Sequence, residues 1–272
     1  MRNVFRGIVF AIAAAASTAL VAQTAQQTVQ KPFEPVVGQA GKDVVWVPTP
    51  QPLVEKMLDM AKVTPKDFVV DLGSGDGRTV ITAAKRGATA LGIEYNPLMV
   101  TLSRKNAADA GVSAKATFQE GDLFETDFSK ADVVTMFLLP SINMRLRPTI
   151  LNMKPGTRIV TNSFTMEDWE EDAAETVEKD CTSWCTAHLW IVPAKVQGTW
   201  KTAQGEIALK QTFQNITGTI KNGNVVMPIN GKLNGELISF SGAGVQYTGH
   251  VQGNNMELNG GSAKINATRA AK

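Results

Sequence analysis

Apolar positions along the chain follow two periods. Leu53, Val54, Met57, Leu58 and Ala61 recur at helical spacing, after Pro48-Thr49-Pro50 and before the break at Thr64-Pro65. Phe68-Val69-Val70-Asp71-Leu72 is a short, nearly continuous apolar run, the pattern of a strand buried on both faces. From there the pattern alternates. Helices are predicted over 79–86, 98–111 and 142–152, the last interrupted or bent by Pro148. Strands are predicted over 88–94, 116–119, 131–137 and 158–162. Two more are expected near Thr176-Val177 and over 188–192, with Cys181 and Cys185 at the turn between them and His188 in an edge strand. Strands alternating with helices predict a doubly wound α/β sheet.

Near Gln197 the pattern changes. Residues 197–272 hold 12 of the 23 glycines, and short alternating runs are separated by turn pairs. Ile216–Ile220, Leu237–Phe240 and Val245–Tyr247 read as strands, and Asn222-Gly223 and Asn234-Gly235 as hairpin turns. A second, small antiparallel β domain is expected, a meander closing toward a barrel. Trp200, Phe213, Phe240 and Tyr247 are candidates for its interior, where filling a core is the plain reading.

The first residues belong to neither pattern. Arg2 and Arg6 precede an apolar stretch through Ala16, then small residues, the order of a secretory signal peptide over 1–25. The apolar stretch falls short of the ~20 residues of a membrane span. Residues 26–45, with Gln, Pro and Gly in no clear period, read as a linker, followed by an α/β domain over 46–196 and the β domain over 197–272. The signal peptide implies export, to the periplasm, with membrane contact only through an uncleaved leader.

Charge and cysteines narrow the picture. Loss of residues 1–25 leaves 25 basic and 25 acidic side chains, which gives no electrostatic case for nucleic acid. The β domain carries +4, so the α/β domain carries about −4. Cys181 and Cys185 have no surrounding His/Cys set, so zinc is not expected; in an exported chain they are expected to pair.

The chemistry lies in the loop after the first strand. Gly73, Gly75 and Gly77 stand at spacing two, and glycine lets a ligand approach the backbone closely. A dinucleotide site wants G-x-G-x-x-G, but Arg78 stands where the third glycine would be. Asp71 and Asp76 would repel a pyrophosphate. A cationic ligand without phosphate suits this loop, and S-adenosylmethionine (SAM), with its sulfonium and ammonium, is one. Glu94, at the end of the second strand, is placed for ribose hydroxyls, and Asp122, after the third, for an adenine amino group beside Leu123 and Phe124.

With Val69–Arg78, Gly92–Pro97, Gly121–Leu123 and Ala131–Pro140 in hand, residues 46–192 resemble the class I SAM-dependent methyltransferases. That resemblance implies a Rossmann-like seven-stranded sheet. It implies cofactor contacts at Thr49, Asp71, Gly73, Ser74, Gly75, Asp76, Gly77, Glu94, Tyr95, Asp122 and Leu123. It also implies a transfer site lined by Phe137, Leu138, Leu139 and Pro140, with Asn143 orienting the acceptor. Val47–Pro50, Phe137–Pro140 with Asn143, and Lys154–Val160 are similar to the small protein-lysine methyltransferases that act on ATP synthase c-subunit-type targets. A protein lysine amine is the acceptor this implies, a small molecule the other possibility. A different class of reading is an exported module that binds SAM or a related adenosine without turnover, its β domain holding a partner or small ligand. The sequence leaves the oligomeric state open.

Overall fold

The apolar run at 68–72 forms the strand expected of it, with Val69, Val70 and Leu72 fully buried. The computed structural model describes Met1 and residues 33–242, 244–261 and 263–271. The expected leader beyond Met1 and the first part of the expected linker lie outside the described residues. Residues Phe33–Lys272 form one unit that holds both folds.

The α/β part runs α1 (Gln51–Met60), β1 (Phe68–Leu72), α2 (Arg78–Lys85), β2 (Thr89–Glu94), α3 (Pro97–Asp109), β3 (Ala116–Glu120), β4 (Val133–Met136), α4 (Pro140–Ile150), β5 (Arg158–Asn162), β6 (Ala173–Thr176) and β7 (Thr186–Ile191). Its sheet has the order β3-β2-β1-β4-β5-β7-β6. The first five strands are parallel; β7 runs antiparallel to β5 and to β6. Side chains alternate across β1, so Val69 packs with α1, α2 and α3 on one face while Val70 and Leu72 pack with α4 on the other. Helix α3 starts where Asn96 accepts the Leu98 amide at 2.9 Å and Pro97 fixes the first turn.

Two expectations change here. Pro148 does not interrupt its helix: α4 runs through it, starting earlier, at Pro140, and ending two residues beyond the proline. The bond Pro148 cannot donate is lost only in the last turn, and Pro140 favours the earlier start. His188 is not in an edge strand, because β7 lies between β5 and β6. Its ring approaches Glu171 (3.5 Å) and Trp190, a structural setting.

The C-terminal part is a closed eight-stranded antiparallel barrel: β8 (Gly198–Thr202), β9 (Gly205–Thr212), β10 (Asn215–Asn222), β11 (Val225–Asn234), β12 (Leu237–Gly242), β13 (Val245–Gln252), β14 (Asn255–Gly260) and β15 (Ala263–Arg269). Consecutive strands pair, and β15 returns to β8, with Trp200 opposite Arg269. Gly223 and Gly235 adopt left-handed backbone in the turns, as the Asn-Gly pairs predict. Trp200, Phe240 and Tyr247 are buried in the barrel core. Phe213 is not among them. It lies in the β9–β10 turn with φ of 51° and stacks on Trp169 of the α/β part at 5.8 Å.

That stack is one of several ties between the two parts. Arg147 of α4 lies over the Phe213 ring, the Gln214 side chain donates to the Glu170 carbonyl, and Ala194 donates its amide to Gly235. Among the described residues no helix is long and apolar enough to cross a membrane.

Candidate cofactor and acceptor site

The parallel strands end in a cleft floored by the loop after β1. The amides of Gly73 and Ser74 both donate to the Ile93 carbonyl (2.9 and 3.0 Å), which folds the loop tightly onto the end of β2. Gly73, Gly75 and Gly77 take φ of 76°, 54° and 83°, the left-handed region that favours glycine. Glu94 uses one carboxylate oxygen to accept the Gly75 amide and the other to accept the Asn96 amide, each at 2.9 Å. It therefore fixes both the loop and the start of α3.

Asp71 is buried beneath this loop and accepts a 2.6 Å hydrogen bond from Thr135 of β4. Burial, opposed by the Thr135 bond and reinforced by the nearby charges of Asp76 and Glu94, pushes its carboxyl up to about 7. Asp76 is matched by the Arg78 guanidinium (2.6 Å), which also donates to the Thr49 carbonyl at 2.8 Å. The Thr49 hydroxyl in turn accepts a bond from Asn162 at the end of β5.

Residues 39–46 close one side of the cleft. The Gly38 amide donates to the Trp46 carbonyl, the Trp46 amide to the Gln39 carbonyl, and Ala40 bridges Val45. This part of the expected linker is instead a tight turn packed on the site. Its Lys42 pairs with Asp122 and lies 4.7 Å over the Tyr95 ring. The Lys42 ammonium and the Phe124 amide hold the Asp122 carboxyl below the usual carboxylate range. The Trp46 indole rests on Gly75.

The cleft gathers Thr49, Asp71, Gly73, Ser74, Gly75, Asp76, Glu94, Tyr95, Asp122 and Leu123, with Phe137 and Leu138 at its far wall. Gly77 does not line it. A β-carbon there would meet Phe118 at 2.7 Å and Ser103 at 2.8 Å, so this glycine serves close packing of strand and helix. Leu139 lines an adjoining groove, and Pro140 lines neither. Asn143 is fully buried behind the cleft, where its Nδ2 donates to the carbonyls of Phe164 and Thr165 (3.4 and 3.2 Å) and its Oδ1 has no hydrogen-bond partner among the described residues.

The site also contains residues that the sequence reading missed: the 39–46 turn with Lys42 and Trp46, Thr135 behind Asp71, and Phe164 and Trp184 on the groove. The run Val44–Val47 after Gly41-Lys42 was the available signal of a turn entering an apolar strand. Nothing local marked the other three.

A family model for the ANTKMT methyltransferase domain matches residues 71–173. A protein-lysine N-methyltransferase of Saccharolobus islandicus is 41% identical over 152 residues, covering 55% of this chain and 94% of that protein. The chain belongs to the class I SAM-dependent methyltransferases. The human ATP synthase c-subunit lysine N-methyltransferase is 34% identical over 47% of the chain and 54% of its own length. The crystal structure of an RNA methyltransferase from Salinibacter ruber, in complex with S-adenosylhomocysteine, is 45% identical with a TM-score of 0.52, over 55% of this chain and 96% of that one. The barrel lies outside the span matched by the family model.

The cleft of this methyltransferase suits its cofactor, SAM. Three carboxyls crowd one wall, and only Asp76 among them has a salt-bridging cation among the described residues. Burial, with the charges of Asp76 and Glu94 beside it, holds Asp71 partly neutral, and a cationic ligand would favour its charged form. The buried Ser74 hydroxyl has no hydrogen-bond partner among the described residues. When bound, SAM supplies an electrophilic methyl group on a sulfonium.

Proposed function

We propose that this methyltransferase modifies the side-chain amine of a protein lysine. The observation that carries the reading is the groove beside the cofactor cleft. It shares Phe137 with the cleft and is walled by Val45, Val47, Leu139, Phe164 and Trp184. Lys42 is the only cation lining it among the described residues, and Asp122 already engages that ammonium. Such a groove suits an aliphatic stem better than a phosphate backbone, which needs basic side chains. The protein-lysine activity in the name of the Saccharolobus relative supports the same acceptor, and the groove chemistry argues against the RNA acceptor of the Salinibacter protein.

A lysine amine attacks only after losing its proton. The apolar groove favours the neutral amine by lowering its pKa, and the proton leaves to solvent. Phe137 and Leu138 keep water from the transfer point, while Asp71, Glu94 and the glycine loop fix the geometry. His188 packs against Trp190 within the sheet and His250 pairs with Glu236 in the barrel, so neither lines the cleft as a base. The test is incubation with SAM and a panel of lysine-containing proteins and peptides, read by mass spectrometry. Added mass of one to three methyl groups on lysine is expected; transfer only to RNA or to small molecules would sink the reading.

We also propose that the protein works after export, in the periplasm. The basic, apolar and small-residue order of residues 1–25 supports this, as does the Cys181–Cys185 disulfide, since such bonds persist in oxidising compartments. Fractionation of cells expressing the full chain with a C-terminal reporter tests it. Recovery in the cytoplasm with both thiols alkylatable would count against export. Because SAM is made in the cytoplasm, export also requires a route that supplies it outside.

A further inference from the structure

The Phe137, Phe164 and Trp184 rings form one continuous aromatic wall, with centroids 5.2 to 5.9 Å apart. Phe137 enters from the end of β4 and Phe164 from the loop after β5. Trp184 comes from the β6–β7 connection, inside the five-residue ring closed by Cys181–Cys185. It is 44% exposed, against 0% for Trp169, Trp190 and Trp200. Its φ of 57° is a left-handed conformation that bulky residues rarely take. The disulfide spans this strained backbone and limits where the indole can go.

Opposite the wall lies the 40–47 turn, with the aliphatic Val45 and Val47 and the acidic Asp43. The groove between them runs into the cofactor cleft through Phe137, which lines both. Aromatic faces attract cations, and an aliphatic stem packs on them.

We propose that Trp184, held by the Cys181–Cys185 ring, is a specificity-determining residue that binds the acceptor as an extended, positively charged alkyl amine along the Phe137–Phe164–Trp184 wall. This rests on the lysine reading above. The wall binds the protonated or already methylated side chain on its way in, and the free amine forms only at the Phe137 end. The indole thus acts on acceptor affinity and leaves the cofactor cleft, which it does not line, unchanged.

The test uses the full chain and three variants, Trp184→Ala, Trp184→Phe and the double variant Cys181→Ser/Cys185→Ser, with a lysine peptide that the unaltered protein methylates. For Trp184→Ala, KM for the peptide is expected to rise about tenfold, with kcat and the SAM dissociation constant each within about twofold. Trp184→Phe should recover most of the loss, and the double serine variant should fall between. An unchanged KM in Trp184→Ala, or an equal loss of SAM affinity, would overturn the assignment of the wall and leave the lysine reading standing. If the unaltered protein methylates no lysine at all, the lysine reading fails first and the wall assignment with it.

Discussion

Trp46 and Gly75 are packed so closely that a β-carbon on the glycine would stand 2.6 Å from the indole Nε1. The contact joins two segments distant in sequence, one a turn and the other the floor of the cofactor cleft. Gly75→Ala must therefore push the turn away or distort the loop. SAM binding measured by calorimetry is expected to weaken at least about tenfold, with the far-ultraviolet dichroism unchanged. Gly111→Ala is the control. It also places alanine at positive φ, but into open space, so it carries only the backbone cost of about 1 kcal/mol. Equal SAM affinities in the two variants would show that the Trp46 contact does not matter to the cleft.

The Asp71 carboxyl titrates near pH 7, above its ordinary value of 3.8, chiefly because it is buried. The folded protein therefore holds a proton that the unfolded chain has released between those two pH values. The stabilising contribution of this group is complete below 3.8 and fades as pH rises through about 7. A bound cation favours the ionised form. SAM binding is thus expected to tighten as pH rises toward 7 and then level, and to release protons near pH 6 to 7. Calorimetry in buffers of different ionisation enthalpy measures that release. Asp71→Asn should bind more weakly and release no proton; an equal release from the variant would mean that another group titrates.

Lys42 ties the 39–46 turn to Asp122 and to the Tyr95 ring. Lys42→Ala should leave the sheet intact and loosen the turn. Hydrogen exchange at the Trp46 and Gly38 amides, which close the turn, is expected to speed up severalfold. SAM release should accelerate with it. Protection of these amides at the unaltered level would show that Trp46 alone holds the turn.

Trp169 is fully buried and stacks on Phe213 of the barrel, while Trp190 donates its indole N–H to the Trp169 carbonyl. Replacing Trp169 with alanine removes the aromatic core of the joint between the two folds. A loss of about 3–5 kcal/mol is expected. Thermal unfolding should also separate into two steps, as the barrel and the methyltransferase lose their shared packing. A single transition at the unaltered temperature would deny the joint that role.

The legibility of each element followed how local its cause was. Strand β1 could be read because Val69, Val70 and Leu72 are buried on both faces, which a short apolar run announces by itself. The glycine loop could be read because φ, charge and spacing act within a few residues. The barrel followed from its Asn-Gly turns. The 39–46 turn was hidden because Lys42 and Trp46 find their partners at Asp122, Tyr95 and Gly75, far along the chain. The setting of Asn143 was hidden because its partners, the Phe164 and Thr165 carbonyls, come from the loop after β5 and not from nearby sequence. Phe213 was assigned to the barrel interior because alternation does not register a turn residue at positive φ.

The barrel's seam carries a consequence for how the chain is made. Strand β8 has β9 beside it at once, but its other neighbour is β15, at the far end of the sequence. The methyltransferase sheet is complete once β7 has emerged, whereas the barrel stays an open sheet with two unpaired edges until the last strand arrives. During synthesis, those edges are the surface that a chaperone would have to guard, and loss of β15 would leave them exposed for good.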